Sequence, residues 1–186
     1  MNIITTELGG VLIIEPQIFN DRRGYFFESY SQRDLDQRGL SIDFVQDNES
    51  CSGRGVVRGL HYQLAPYAQT KLVRVVRGCI FDVLVDIRRG SPTFGRHLRV
   101  ELSDANKRQV LVPKGFAHGF SVLSPEAIIC YKCDTPYHRE AERGIAFNDP
   151  ALGIDWGISP HEAVVSDKDA QHPPMALADM NFDYGC

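Results

Sequence analysis

Hydrophobic and polar residues alternate along several short stretches of the chain, as they do in β-strands with one buried face. In "RHLRVEL" this alternation puts Leu98, Val100 and Leu102 on one face. In "CIFDVLVDI" it places five side chains together: Cys79, Phe81, Val83, Val85 and Ile87. The stretches "KLVRVVRG" and "AIICYKC" are predicted strands because they are rich in β-branched residues. The pattern therefore predicts a mainly β protein.

Turn-forming sequences separate the predicted strands: "RRGSP", "LSDAN", "PKGFAHG" and "LSPE". Many short strands at close spacing, without a helical period between them, predict a β-sandwich or a closed barrel. The proline-containing tail from His172 onward is expected to wrap the surface or to fray at its end.

Three serines are placed where short helices could begin. Ser31 is a predicted N-cap of a helix over Gln32–Arg38, and Gly39 is a suitable terminator. Ser159 is followed by proline, the residue favoured at the first helical position, so a second helical turn is expected there. Ser166 is a predicted cap of a third. The helical content is therefore expected to be small.

Length and charge narrow the class of protein. The 186 residues are expected to form a single domain over residues 1–186, with the tail from about residue 172 peripheral. The 24 acidic residues outnumber the 20 basic ones, so neither nucleic acid nor a membrane surface is an expected partner. Basic residues are locally dense in Arg54–Arg58 and Lys71–Arg77, which is compatible with a small anionic ligand.

The number of cysteines and the N-terminal sequence indicate the cellular compartment in which the protein is expected. The five cysteines are an odd number, and "CYKC" has no second pair to complete a zinc site. Because "CYKC" lies in an apolar, strand-like stretch, buried reduced thiols are expected there. The segment "MNIITTELGG" lacks the features of a signal peptide, and no apolar stretch reaches the roughly 20 residues of a membrane helix. A cytoplasmic protein is expected.

His61 in "RGLHYQ" is the first candidate for chemistry, as a metal ligand, a base or a structural histidine. "PKGFAH", which ends at His118, has the Pro-x-Gly-x-x-His form of the second metal motif of cupins, a superfamily of jelly-roll barrels. Their first motif needs His-x-His, since alternate strand positions then direct both rings into the barrel. Here Gln63 occupies the second histidine's place, and glutamine is a poor ligand for a transition metal. No metal is therefore expected.

Longer stretches are similar to one known family. "FNDRRGYFFESY", "FVQDNESCSGRGVVRGLHYQ", "QTKLVRVVRGCIFDVLVDIRRGSPTFG", "PKGFAHGF", "CYKCDTPY" and "DPALGIDW" together resemble the dTDP-4-dehydrorhamnose 3,5-epimerase family, over about residues 1–170. The resemblance implies a cupin-type jelly-roll β-barrel or sandwich with a few short helices. It also implies a metal-free enzyme without a cofactor, which epimerises a dTDP-linked 4-keto-6-deoxy sugar at C3 and C5.

The resemblance assigns four catalytic residues. His61 would be the base that removes a proton next to the C4 ketone, and Asp169 would orient and stabilise its ring. Tyr131 would be the general acid on the opposite face, although a tyrosine on a strand could equally be a core residue. Lys71 would stabilise the enolate oxygen, although it could be an ordinary lysine at a strand end.

The resemblance also assigns substrate contacts and an assembly. Arg58 is suited to the diphosphate because a guanidinium binds it in bidentate fashion. Tyr137 could stack on the base. His118 would hold the sugar or remain a hydrogen-bonded structural residue. The other family positions that contact the ligand correspond to Arg23, Glu28, Gln46, Asn48, Glu142 and Lys168. A homodimer is expected, with the segment Arg23–Glu28 reaching the neighbouring subunit's site.

Arg58 and His61 are an odd number of residues apart, so a regular strand would direct them to opposite faces. Both can serve one pocket if Gly59 permits a bulge. An irregularity at Gly59 is therefore predicted.

Three other functions remain open on the sequence alone. A narrower enzyme that epimerises only C3 or only C5 of a related nucleotide sugar would keep His61, Tyr131 and Asp169. A non-catalytic cupin that binds a sugar or nucleotide would not need a base, an acid and an enolate stabiliser together. A metal-dependent cupin enzyme is the third alternative.

Overall fold

Thirteen strands dominate the computed structural model of the chain, which describes residues 1–185. In chain order they are β1 (Asn2–Thr5), β2 (Leu12–Glu15), β3 (Phe19–Asp21), β4 (Gly24–Phe26), β5 (Gln46–Gly53), β6 (Val57–Gln63), β7 (Lys71–Arg77), β8 (Cys79–Asp86), β9 (His97–Ser103), β10 (Gln109–Val112), β11 (Phe116–Val122), β12 (Glu126–Cys133) and β13 (Glu142–Gly144). One α-helix, α1 (Gln32–Asp36), and three 3₁₀ turns, Arg139–Ala141, Asp169–Gln171 and Met175–Leu177, complete the described elements.

The strands form two main antiparallel sheets and a separate hairpin. The six-stranded sheet has the order β1-β2-β10-β7-β12-β5, and the five-stranded sheet has the order β13-β6-β11-β8-β9. Strands β3 and β4 pair only with each other. Apart from the pairs β1–β2 and β8–β9, neighbouring strands in both sheets are non-consecutive in the chain, as expected for a jelly roll. The predicted mainly β, cupin-type jelly-roll fold with little helix is confirmed.

The main hydrophobic core lies between the two sheets. Val73 and Ile129 from the six-stranded sheet pack in one cluster with Leu84, Leu102 and Phe120 from the five-stranded sheet. The predicted shared face of Leu98, Val100 and Leu102 is confirmed, because all three join this cluster. Alternation along β9 is sharp because only one face of this edge strand packs against the core.

The outer face of the five-stranded sheet carries a second hydrophobic cluster. Val83 and Val85 of β8 pack there against Trp156 and the tail residues Met180 and Phe182, all of them buried. Strand β8 is consequently buried on both faces, which explains its nearly continuous apolar sequence. The tail from His172 onward lies over this face of the sheet.

Two of the three predicted helix starts are confirmed. Ser31 Oγ accepts a hydrogen bond from the Asp34 N–H, and α1 ends at Asp36, two residues before the predicted end. Ser166 Oγ accepts from the Asp169 N–H at 3.1 Å and begins the turn Asp169–Gln171. The prediction at Ser159 is wrong. The chain makes a turn there and then pairs its backbone with the segment before β6, where Val164 N–H donates to Gly55 O.

Four cysteines lie in the described residues, and all four are free thiols. Cys133 is buried and Cys130 is half-buried, in keeping with the expectation of reduced thiols in "CYKC". Cys186 lies outside the described residues. No helix of residues 1–185 is long and apolar enough to cross a membrane.

Candidate active site

A cavity of about 430 Å³ opens between the two sheets, at the ends of β5, β6, β7 and β12. Seven of its lining residues were predicted from the sequence: Gln46, Asn48, His61, Lys71, Tyr131, Tyr137 and Glu142. Four others were not: Tyr62, Gln63, Gln69 and Cys133. The cavity is therefore the place where most of the predicted chemistry converges.

His61 and Asp169 form a hydrogen-bonded pair, although 108 positions separate them. His61 Nε2 lies 2.7 Å from Asp169 Oδ1, and the other carboxylate oxygen accepts the Gly59 N–H at 3.2 Å. Burial raises the pKa of Asp169, but the hydrogen bond and charge of His61 outweigh burial and bring that pKa below its ordinary value. Asp169 is thus an ionised carboxylate that holds Nε2, which leaves Nδ1 of His61 for other chemistry.

Strand β6 is irregular at Gly59, as predicted. His118 of β11 pairs with His61, and Phe120 pairs with Arg58, so β6 contains one residue more than β11 between the two pairs. Gly59 has a φ of +124°, and a Cβ there would lie 2.5 Å from Gly119 Cα. Only glycine fits this bulge. It gives Arg58 a direction different from that of a regular strand.

The Arg58 side chain reaches across the gap between the sheets. It is exposed, and its Nε donates a hydrogen bond to Ser52 Oγ of β5 at 3.1 Å. Its positive charge also acts on Tyr131 of β12: burial raises the Tyr131 pKa, and Arg58 opposes that rise. Arg58 therefore lies on the inner side of the sheet, facing the strands that carry Ser52 and Tyr131, although it does not line the cavity itself.

Lys71 and Tyr131 extend from neighbouring strands. Lys71 Nζ lies 5.7 Å from the centroid of the Tyr131 ring. Burial lowers the pKa of Lys71 and raises that of Tyr131. Tyr131 lines the cavity and also packs against the main core, so its position is compatible with both of its interpretations. The cavity wall thus carries an amine and a phenol in a poorly hydrated environment.

Polar side chains linked by hydrogen bonds form the outer rim of the cavity. Glu142 Oε2 accepts from Tyr137 Oη at 2.6 Å and pairs with Lys168 Nζ at 2.5 Å. Burial raises the pKa of Glu142, but the hydrogen bonds from Lys168 and Tyr137 outweigh burial, so this pKa lies below its usual value. On the other side, Gln46 Oε1 accepts the Tyr137 N–H, and Gln46 Nε2 donates to Asn48 Oδ1.

His118 lies deeper than the cavity and has its own carboxylate partner. It is buried, and its Nε2 lies 2.8 Å from Asp82 Oδ1. It lines a narrow crevice beside His61 and Lys71 instead of the main cavity. The hydrogen bond to Asp82 fits the interpretation of His118 as a structural residue. His118 can contact a sugar only if the ligand enters this crevice.

Arg23 and Glu28 lie away from the cavity of their own chain. Arg23 is in the turn of the β3–β4 hairpin, where its guanidinium pairs with Asp21 at 2.6 Å and is largely exposed. Glu28 lines a separate pocket with Met1 and Phe19. Neither residue contributes to the cavity that contains His61.

His172 is a neighbour of His61 that the sequence did not indicate. The two imidazole rings are nearly perpendicular, with centroids 5.4 Å apart. Burial and the charge of His61 both lower the pKa of His172. His172 follows the Asp169 turn in a tail without periodic pattern, so only the three-dimensional fold brings it to the site.

The residues at the cupin metal position do not fit a metal ion. The Gln63 amide is fully engaged: it donates to Tyr67 O and accepts from the His138 N–H, both at 2.6 Å. His118 is paired with Asp82. A different group of side chains, His61, Asp169 and His172, places its potential ligand atoms within 4.8 Å of one another.

Comparison with known proteins agrees with this geometry. Residues 5–176 match the family described as dTDP-4-dehydrorhamnose 3,5-epimerase. A dTDP-4-dehydrorhamnose 3,5-epimerase of Shigella flexneri is 51% identical over 96% of this chain and 98% of its own.

Solved structures are similar over nearly the whole fold. A dTDP-6-deoxy-D-glucose-3,5-epimerase of Legionella pneumophila, in complex with dTDP-4-keto-L-rhamnose, has a TM-score of 0.94 at 48% identity and covers 100% of this chain and 99% of its own. A 3'-monoepimerase of Streptomyces bikiniensis, in complex with dTDP-quinovose, has a TM-score of 0.86 at 34% identity and covers 92% of this chain and 86% of its own.

The fold and the cavity define an isomerase built on a jelly roll. The chain belongs to the dTDP-4-dehydrorhamnose 3,5-epimerase family, and it is an epimerase. Family membership argues against the non-catalytic binder and against the metal-dependent cupin enzyme.

Proposed function

We propose that the chain converts dTDP-4-dehydro-6-deoxy-D-glucose into dTDP-4-dehydro-L-rhamnose, for deoxysugar synthesis. Each inversion, at C3 and at C5, removes a proton next to the C4 ketone and returns one from the opposite face. The observation that carries this proposal is that the His61–Asp169 pair and Tyr131 line one cavity with Lys71. The identities of the relatives support the choice of substrate.

His61 is the proposed base. With Nε2 held by Asp169, Nδ1 is the nitrogen that accepts the proton from C3 or C5. The imidazolium that forms is stabilised by the ionised Asp169 carboxylate at 2.7 Å, as in other His–Asp pairs. The second hydrogen bond of Asp169, to the backbone of Gly59, fixes the carboxylate against the strand that carries His61.

Tyr131 is the proposed acid and Lys71 the proposed enolate stabiliser. A tyrosine whose pKa is raised by burial keeps its proton at neutral pH. It can then donate this proton to the carbanion or enolate that forms in the reaction. Protonated Lys71 beside it would place a positive charge in a poorly hydrated wall, where its attraction for a developing oxyanion is stronger than in water. These four residues supply the whole reaction, so we propose that it uses neither a metal nor a cofactor.

The rim is the proposed binding region for the nucleotide diphosphate. Arg58 and Lys168 bring positive charge to its two sides, and Tyr137, which is 54% exposed, offers a ring face for the base. Gln46, Asn48 and Glu142 are proposed polar contacts on the same rim. His118 is a proposed contact of the sugar within the crevice below.

Arg23 and Glu28 are proposed to complete the site of a second copy in a homodimer. They lie outside the cavity of their own chain, on a hairpin segment that exposes Phe19, Tyr25 and Phe26. An exposed apolar hairpin of this kind is suited to packing on another subunit. We further propose that residues 1–186 act as a single domain and that the enzyme works in the cytoplasm, where the free thiols of Cys51 and Cys79 would stay reduced.

Isotope labelling tests the proposed reaction. In deuterated water, the protein incubated with dTDP-4-dehydro-6-deoxyglucose should place deuterium at both C3 and C5, as read by NMR. Label at one carbon only would contradict the double epimerisation and favour a narrower enzyme, like the 3'-monoepimerase of S. bikiniensis. His161→Ala, which changes an exposed histidine, is the matched control and should label both carbons.

A further inference from the structure

We propose that His61, Asp169 and His172 form a binding site for a divalent transition-metal ion such as Zn²⁺, and that the bound ion inhibits the enzyme. Each of the three side chains offers one ligand atom, and these atoms lie within 4.8 Å of one another. Two imidazoles and one carboxylate are a donor set that Zn²⁺ accepts, with its remaining position open to water.

The turn after Ser166 sets the direction of two of these ligands. Asp169 begins the 3₁₀ turn Asp169–Gln171, and His172 follows it directly, with its N–H donating to Asp169 O. Side chains three residues apart project on the same side of a 3₁₀ turn. Asp169 and His172 are therefore presented together to His61 on strand β6.

The His172 ring occupies space that the fold leaves open beside His61. Gly144 of β13 pairs across the sheet with His61. A Cβ on Gly144 would lie only 2.2 to 2.5 Å from three atoms of the His172 ring, so the ring fits because this position is glycine. The ring is thus held against the strand next to His61 and does not extend into solvent.

One nitrogen atom of the cluster is free to bind a metal ion, and the ion can reach the cluster from solvent. His172 Nδ1 is buried and has no hydrogen-bond partner among residues 1–185. His61 lines the open cavity, so an ion can reach it from solvent. On binding, the ion would take the place of the proton between His61 Nε2 and Asp169 Oδ1, and the single proton of the neutral ring would then lie on Nδ1.

Inhibition follows from the loss of the His61–Asp169 pair. In a metal-bound imidazole the ring proton lies on Nδ1, so Nδ1 cannot accept a proton from the substrate, and Asp169 no longer stabilises an imidazolium. The inhibition thus rests on the proposed function, whereas the binding of the ion does not.

Co²⁺ and Zn²⁺ test the site with separate readouts. After treatment with EDTA and its removal, the wild type should bind one equivalent of Co²⁺, followed by the visible absorption of the ion, and Zn²⁺ should displace it. His172→Gln and His172→Ala should weaken Co²⁺ binding by about tenfold or more, since even outer partners of ligands change metal affinity by that much. His161→Ala should bind as the wild type does. Thermal unfolding without metal checks that each variant is folded.

The second measurement is the rate of deuterium exchange in the presence of Zn²⁺. For each variant, this rate is compared with the rate of the same variant without metal. Zn²⁺ should abolish exchange in the wild type, EDTA should restore it, and His172→Gln should need about tenfold more Zn²⁺. Absence of Co²⁺ binding, or unchanged affinity in both His172 variants, would overturn the site. Bound Zn²⁺ that leaves exchange intact would overturn the inhibition. A metal-free wild type without exchange would contradict the proposed function and leave the Co²⁺ result to decide the site.

Discussion

Asp169 makes two contacts with strand β6 at once: one oxygen meets the His61 ring and the other meets the Gly59 backbone. The Ser166 hydroxyl in turn caps the turn on which Asp169 lies. The orientation of His61, the proposed base, therefore depends on contacts between a strand and a turn that lie more than a hundred residues apart in the chain. At the scale of single residues, this junction is what the proposed chemistry depends on.

Asp169→Asn is expected to lower kcat by about 10²- to 10⁴-fold, with a smaller effect on KM. The amide is uncharged, so it cannot stabilise an imidazolium, and it can hold the imidazole in the wrong tautomer. Steady-state kinetics on the dTDP-linked substrate measure both constants. Asp167→Asn removes the same charge from an exposed position two residues earlier and should keep wild-type kinetics. Equal kinetics of the two variants would contradict the role of Asp169.

Gly59 determines the shape of strand β6 at the level of the element. Its φ of +124° and the close approach of Gly119 and His118 leave no space for a side chain. The bulge lets Arg58 and His61 serve the same side of the sandwich.

Gly59→Ala is expected to lower the free energy of unfolding by at least about 2 kcal/mol, because it adds backbone strain and a clash of main-chain atoms. Chemical denaturation followed by circular dichroism measures the change. Gly9→Ala is the matched control: no atom lies within 4 Å of an added Cβ, and its φ lies outside the left-handed range, so its stability should change little. Similar stabilities of the two variants would show that the bulge tolerates a side chain.

Sequence pattern predicted the elements best where one local rule decides the conformation. Strand β9 alternates because one face meets the core, and Ser31 caps α1 as its sequence suggests. Ser159 has an equally good local signal, but the backbone of Val164 pairs with Gly55 and Val57, so no helix forms. Tertiary hydrogen bonds outweighed a helix-start signal that had no apolar face behind it to bury.

The site could be predicted only in part, for a different reason. The sequence singled out His61 as a candidate, and its role as base came from family resemblance; the odd separation of Arg58 and His61 predicted the irregularity at Gly59. The pairing of His61 with Asp169 came from family resemblance, since no local pattern relates positions 108 apart. His172 had no signal at all: its place depends on the path of the tail and on a glycine in strand β13.

At the scale of the whole molecule, one cavity contains the proposed base, acid and cation, but neither Arg23 nor Glu28 lines it. In the proposed homodimer, the second copy would bring that segment. The β3–β4 hairpin exposes the aromatic side chains of Phe19, Tyr25 and Phe26, a surface suited to packing on that second copy.

Mixing two inactive variants tests the shared site. If Arg23 completes the neighbour's cavity, Arg23→Ala and His61→Ala subunits that are unfolded and refolded together should recover about a quarter of wild-type activity, because half of the dimers are then mixed and each has one intact site. Each variant refolded alone sets the baseline. Sedimentation should give a dimer. A monomer, or no gain on mixing, would contradict the shared site.

The most direct test of the central claim, that His61 removes the proton and Tyr131 delivers one from the other face, is deuterium exchange measured together with inversion in Tyr131→Phe and His61→Ala. In Tyr131→Phe, His61 can still remove a proton and return a deuteron on the same face, so exchange should persist while inversion falls by about 10²-fold or more. His61→Ala should lose both, although it still binds dTDP. Exchange at the wild-type rate in His61→Ala would contradict the account.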